Sequence, residues 1–495
     1  MPSRIGFDNK RYVKMQSEHI RQRIERFGGK LYLEFGGKLF DDYHASRVLP
    51  GFLPDSKVKM LLQLRDQVEI IIAINASDIE KSKMRGDHGI TYDQDVLRLI
   101  DAFRSIGLMV GSVVITMYRA QAAADAFRDR LTRLGMPVYL HYPIPGYPSN
   151  IPLIVSDEGY GRNEYIPTTR QLSVVTAPGP GSGKMAVCLS QLYHEYKRGV
   201  RAGYAKFETF PIWNLPLSHP VNIAYESATA DLNDVNMIDP FHLDAYGVTA
   251  VNYNRDVEIF PVLNAIFEKI AGESPYRSPT DMGVNMVGNC LIDDEACEQA
   301  SRQEILRRYY HALCCQRRGL ASEDEVYKLE WLMARCGVSD DNRPVIAAAR
   351  HVAQSTGEPA AALELPDGRI VTGKTSGLLG ASAAMLLNAL KALGGIHQDI
   401  HLISPIVIEP IQRLKTQHLG NKNPRLHTDE ILIALSICAA TNPTAELAMR
   451  QLNRLRDAEA HSTVMLSAVD SGMMGRLGIR LTCCPNHQAG KLFCK

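Results

Sequence analysis

From residue 30 to residue 212 the chain alternates short apolar runs with amphipathic segments, and this alternation restricts its fold more than any other feature. The runs are KLYLEF at 30–35, VEIIIAIN at 68–75, GSVVITMY at 111–118, PVYLHYPI at 137–144 and LSVVT at 172–176. Short, nearly continuous apolar runs read as strands, and the longer amphipathic stretches between them read as crossover helices. Helices are predicted over 92–106 and 120–134, the second stopped by Gly135. Strand and helix in this rhythm build a parallel sheet with helices on its faces. The expected fold class is α/β, with a Rossmann-like, doubly wound N-terminal region.

The texture changes further on. Strong helix formers in SRQEILRRYYHALCC and EDEVYKLEWLMARC, between 301 and 352, predict a helical middle. A Pro-Asp-Gly turn at 366–368 opens a smaller C-terminal α/β subdomain. Its helices are expected near 381–393, 429–439 and 444–454, and its strands near 403–408 and 462–466. The expected domains are therefore 1–275, an α/β phosphate-binding domain; 276–355, helical; and 356–495, the C-terminal subdomain. Three domains suit 495 residues, at about 150 residues each.

Charge and cysteine usage narrow the partners. Lysine plus arginine number 55 against 54 acids, a net charge of +1, which provides no field for a nucleic acid or a membrane surface. Apolar stretches such as 68–76 and 380–390 fall short of the ~20 residues of a membrane span. From the polar, charged start, Met1 to Lys14, no signal peptide is expected. Ten cysteines without a Cys-x-x-Cys pair or zinc spacing read as the reduced thiols of a cytoplasmic protein. The expected partner is a phosphorylated small molecule, and the expected assembly a homodimer.

Two segments have the composition of a phosphate loop, which needs glycines for close backbone approach and a lysine for the outer oxygens. The run Gly368-Arg-Ile-Val-Thr-Gly373-Lys374-Thr375 matches G-x-x-x-x-G-K-[ST]. Its variable residues are strand-like and no strand precedes it, so it is expected to be extended backbone. The run APGPGSGKM at 177–185 breaks the pattern, with Pro178 for the first glycine and Met185 for the magnesium-binding hydroxyl. It follows a strand and precedes a helix, which is the context that binds ligands. Gly179, Gly181, Ser182, Gly183 and Lys184 are therefore the predicted cofactor-binding residues, for ATP or another nucleotide with magnesium.

The polar stretch 214–254 supplies the remaining chemistry. Asp231, Asp234 and Asp239 are the candidate metal ligands, with Asp231 and Asp234 spaced to share a helix face. His219, Glu226 and His242, with Lys184, are the candidate catalytic groups. The strand-like KFETFPIW at 206–213 is expected to end on the same sheet edge as the loop. At least two of His219, Glu226, Asp234 and His242 would then share a pocket with Lys184. The expected function is ATP-dependent group transfer or ligation on a small metabolite. A non-catalytic ligand-binding scaffold is the alternative. A dinucleotide-dependent oxidoreductase or transferase ranks third, since no G-x-G-x-x-G follows the first strand and Phe35-Gly36-Gly37-Lys38 is a weak substitute.

The stretches LEFGGKLFDDYHASRVLPGF at 33–52, TAPGPGSGKMAVCLSQLYHE at 176–195, HPVNIAYESATADLNDVNMIDPFHLDAYG at 219–247, YRSPTDMGVNMVG at 276–288 and HLGNKNPRLHTDEILIALSICAATNPTAELA at 418–448 resemble an uncharacterised bacterial protein family defined by a domain of unknown function. The resemblance runs over essentially the whole chain. It implies an N-terminal α/β region, a helical middle and a C-terminal α/β subdomain, and carries no reaction or catalytic residue with it.

Overall fold

Six apolar runs become the strands of one parallel sheet in the computed structural model, which describes residues 4–37, 39–40, 42–85, 89–232 and 234–487. The strands are β1 (Leu31–Phe35), β2 (Val68–Asn75), β3 (Met109–Thr116), β4 (Val138–Leu140), β5 (Leu172–Thr176) and β6 (Gly203–Phe207). They lie side by side in the order β4-β3-β2-β5-β1-β6, every neighbouring pair parallel. Every residue of β1, β5 and β6 is buried, as a parallel sheet covered on both faces requires. Some polar groups there are paired, as where the Glu34 carboxylate in β1 takes a 2.7 Å hydrogen bond from the Tyr204 hydroxyl in β6, whereas the buried Ser173 hydroxyl in β5 has no partner among the described residues.

The predicted helices follow their strands. Tyr92–Ser105 precedes β3, and Ala122–Arg133 separates β3 from β4. The second ends before Gly135, whose φ of 72° is the left-handed conformation that closes a helix without a Cβ penalty.

Two compact units are formed. The first contains the six-stranded sheet and comprises Ile5–Glu226 and Asp234–Glu298. The second is built from 299–487 with the short segment 227–232. Residues 276–298 of the expected helical middle belong to the first unit. The second unit holds the helices Glu323–Arg335 and Pro344–Thr356, followed by a separate four-stranded sheet of Ala360–Glu364, Ile370–Lys374, Glu459–Ser462 and Arg480–Cys483. Arg343, buried to 1% exposure, ties that unit together by donating to Glu459, Thr482 and the carbonyls of Ala460 and Arg480.

The expected strand at 403–408 is instead the start of a helix, Pro405–Arg413. Ser404 caps it through the Ile406 amide and Pro405 opens its first turn, a combination that overrides the β-branched residues that follow. The expected strand near 462–466 is shifted to Glu459–Ser462. Gly368 turns a hairpin whose second strand, Ile370–Lys374, pairs antiparallel with Ala360–Glu364, so the run with the formal phosphate-loop pattern is extended backbone. Among the described residues no helix is long and apolar enough to cross a membrane.

Candidate functional site

Residues 177–183 leave the carboxyl end of β5 and turn directly into the helix Lys184–Lys197, with Gly183 as its N-cap. Gly181 and Gly183 are left-handed, at φ 75° and 79°, and so favour glycine. Gly179 is needed for a different reason, since a Cβ there would lie 2.3 Å from the Tyr92 hydroxyl. Neighbouring strand ends hold the loop: the Asn75 side chain donates to the Gly181 carbonyl at 3.2 Å, and the Thr116 hydroxyl to the Ser182 carbonyl at 2.8 Å. The first-turn amides of Lys184, Met185 and Ala186 have no intrahelical acceptor. Ser182 is 2% exposed, and its Oγ has no partner among the described residues.

The loop's position follows from strand order. The chain leaves β2 for β3 in one direction and leaves β5 for β6, beyond β1, in the other. The carboxyl ends of β2 and β5 thus flank a topological switch point, where open α/β sheets form a ligand crevice.

A cavity of about 320 Å³ lies past the carboxyl end of β6 in the same unit. Its lining includes Arg23, Lys206, Glu208, Trp213, His242 and Asp256. β1 separates β5 from β6, so the strand ends that lead into the loop and into Glu208 are two strand positions apart, about 10 Å at ~4.8 Å per strand. Gly36 follows β1 here, and a Cβ on it would meet the Glu208 side chain at 2.7 Å.

The cavity's electrostatics turn on one ammonium shared by two acids. Lys206 Nζ lies 2.6 Å from both Asp256 oxygens, 2.7 Å from the Tyr253 hydroxyl and 3.0 Å from Glu208 Oε1. Asp256 takes the shorter contacts. Burial pushes the Glu208 carboxyl up to about 7, with Lys206 opposing the shift and the Asp256 charge adding to it. Burial would lower Lys206, but the charges of Asp256, Glu208 and Glu34 outweigh it and hold the ammonium above its ordinary value. A carboxyl that titrates near neutrality beside a cavity can both give and take a proton.

The predicted site residues are dispersed. His242 lines the cavity, its Nδ1 2.9 Å from Ser278 Oγ and its ring against Trp213 and Tyr246. Lys184, His219, Glu226 and Asp234 are not among the lining residues, so the cavity does not gather the expected groups around Lys184. His219 Nδ1 accepts from the Val221 amide at 3.2 Å while Nε2 faces Asp294 at 3.0 Å, with Glu298 4.0 Å away. The three groups have the proximity of metal ligands. The tautomer set by Val221 nevertheless turns an N–H, and no lone pair, toward the carboxylates. Glu226 is buried in the helix Pro220–Ala228.

The three aspartates are also apart. Asp234 pairs with Arg255 at 2.5 Å. Asp239 caps the helix Pro240–Tyr246 and accepts from the Thr280 hydroxyl at 2.6 Å. Asp231 is exposed, in a 3₁₀ turn at Ala230–Leu232 that belongs to the second unit. The expected helical face shared by Asp231 and Asp234 is absent, because the chain passes from that turn into the strand Asn236–Ile238. Lys38 lies outside the described residues.

Sequence reasoning missed Lys206, Glu208 and Asp256. The signal was Lys-Phe-Glu at a strand end, where residues two apart face the same way. Asp256, in the first turn of the helix Asn254–Ala271, gave no comparable sign.

Comparison with known proteins finds similarity along nearly the whole chain. Residues 5–337 match the N-terminal domain of unknown function DUF1846, and residues 341–493 match its C-terminal counterpart. The chain is 58% identical over 491 residues to a UPF0371 protein of Streptococcus pyogenes serotype M3, covering 99% of both. It is 58% identical over 492 residues to a UPF0371 protein of Streptococcus uberis, covering 99% of this chain and 100% of that one. The chain belongs to the family defined by the N- and C-terminal DUF1846 domains.

Proposed function

We propose that this protein is an enzyme of phosphorylated small molecules, holding the phosphate on residues 179–184 and the reacting group in the cavity beyond β6. The observation that carries the proposal is the glycine loop at the switch point, which opens onto the free amides of a 14-residue helix. Lys184 would meet the outer phosphate oxygens. Glu208 would move the proton, and Lys206 and His242 would orient the acceptor. ATP or another nucleotide fits the loop as donor for group transfer or ligation. Met185 offers magnesium no hydroxyl, so this reading leaves the metal on the nucleotide's own phosphates.

The Rossmann-like element of the proposal is the use of the switch-point crevice. The strand order 4-3-2-5-1-6 departs from the 3-2-1-4-5-6 of dinucleotide folds, which favours a mononucleotide or smaller ester over a dinucleotide.

A thermal-shift series with nucleotides, sugar phosphates and dinucleotides tests the reading. A ligand at 100 times its Kd adds about 2.7 kcal/mol to stability. Nucleotides or phosphate esters should raise Tm in the wild type and fail to do so in Lys184→Ala, while Glu208→Gln keeps the shift and loses turnover. An equal shift in Lys184→Ala contradicts the assigned loop. Binding without turnover of any phosphate ester favours a scaffold.

A further inference from the structure

The second unit holds its own cavity of about 150 Å³, lined in part by Arg318, Ser382, Asn423, Arg425, His427 and Asp470. It opens at the start of the helix Ala381–Gly394, whose N-cap is Gly380. The first-turn amides of Ala381, Ser382 and Ala383 are donors without intrahelical acceptors, and the helix dipole adds partial positive charge there. Two further donors have no partner among the described residues. Ser382 is 3% exposed and its hydroxyl bonds to nothing; Asn423 is 6% exposed, with its oxygen committed to the Arg425 amide and its NH2 group unpaired. Both residues line the cavity.

The charges point the same way. Neither Arg318 nor Arg425 pairs with an acid among the described residues. Arg425 spends only Nε, on the Ser376 carbonyl at 2.9 Å, so both terminal nitrogens of its fork stay available. The one acid lining the cavity, Asp470, is saturated by four bonds from the Thr428 amide and hydroxyl, His427 Nδ1 and Ser467 Oγ. Its hydrogen bond holds His427 above the ordinary imidazole value, so that carboxylate is itself compensated.

We infer that this cavity is a second anion site, built for the tetrahedral oxyanion of inorganic phosphate or of a small phosphomonoester. Arginine forks and helix amides match a group with several acceptor oxygens better than a planar carboxylate with two. The volume suits the oxyanion with a small substituent and is too small for a nucleotide. The inference stands independently of the loop at 179–184.

Calorimetric titration of the full chain with inorganic phosphate tests it, in a Lys184→Ala background that removes the first unit's loop from the readout. Phosphate should bind this protein saturably. Adding Arg318→Ala, or separately Ser382→Ala, should weaken it about tenfold each, the size of one lost charge-assisted or buried contact. Both are small truncations, and circular dichroism checks that each variant is folded. Unchanged phosphate affinity in both variants, no phosphate binding in the background protein, or acetate binding as tightly as phosphate would each overturn the assignment.

Discussion

Lys206→Met should destabilise the first unit by about 3–5 kcal/mol, the cost of removing one partner from a buried ion pair. Lys206 is 8% exposed and faces Asp256 and Glu208 together, so the substitution strands two acids with no cation. The penalty depends on pH, with a definite sign. Glu208 is raised in the folded state to about 7 from an ordinary 4.5, so between these values the folded protein keeps a proton that the unfolded chain has lost. Stability from this group is complete below about 4.5 and declines as pH rises through about 7. Without Lys206 the carboxyl is raised further, so the variant's deficit should grow from pH 5 to pH 8. Denaturation followed by Trp213 fluorescence in a Trp331→Phe background reads this unit, since the chain has two tryptophans and Trp213 lines the cavity. A loss below about 1 kcal/mol, flat with pH, would mean that water already solvates the cluster.

Gly183→Val should abolish ligand-induced stabilisation while lowering the stability of the unliganded protein by about 1–3 kcal/mol. The left-handed φ of 79° at Gly183 penalises a β-branched residue, and its Cβ would lie in van der Waals contact with Thr116 at 3.4 Å, leaving the γ-methyls of valine little room. Thr116 is the residue that donates to the Ser182 carbonyl, so the strain falls on the loop itself. Gly181→Ala is the matched control: φ is also positive there, but a Cβ meets no atom within 4 Å. It should cost about 1 kcal/mol and leave part of the ligand shift. Equal behaviour of the two variants in thermal-shift titrations would remove the geometric basis for the loop.

The sheet was legible because buried parallel strands need unbroken apolar runs, and VEIIIAIN or LSVVT can do little else. The strand-like segment expected at 206–213 overlaps the observed strand Gly203–Phe207 only at Lys206 and Phe207, because the GYA that opens the strand carries little apolar bulk to mark it. At 403–408 the β-branched run pointed to a strand, and the Ser404-Pro405 start of a helix prevailed. The glycine loop could be located because its residues are contiguous between a strand and a helix. The cavity could not, because only Lys206 and Glu208 are close in sequence, while Arg23, His242 and Asp256 come from three other elements and join them only after folding. Reading along the chain instead favoured residues close to one another in sequence, such as Asp231 and Asp234, which the fold assigns to different units.

The most direct measurement is a crystal structure of the protein with the phosphate ester or nucleotide that most raises its Tm. Phosphate oxygens are expected within about 3 Å of the amides at 183–186, with Lys184 Nζ on the same group and the remainder of the ligand directed along the sheet edge toward Glu208. A ligand bound only beside Ser382 and Arg425, or on the hairpin at 370–374, would contradict this placement.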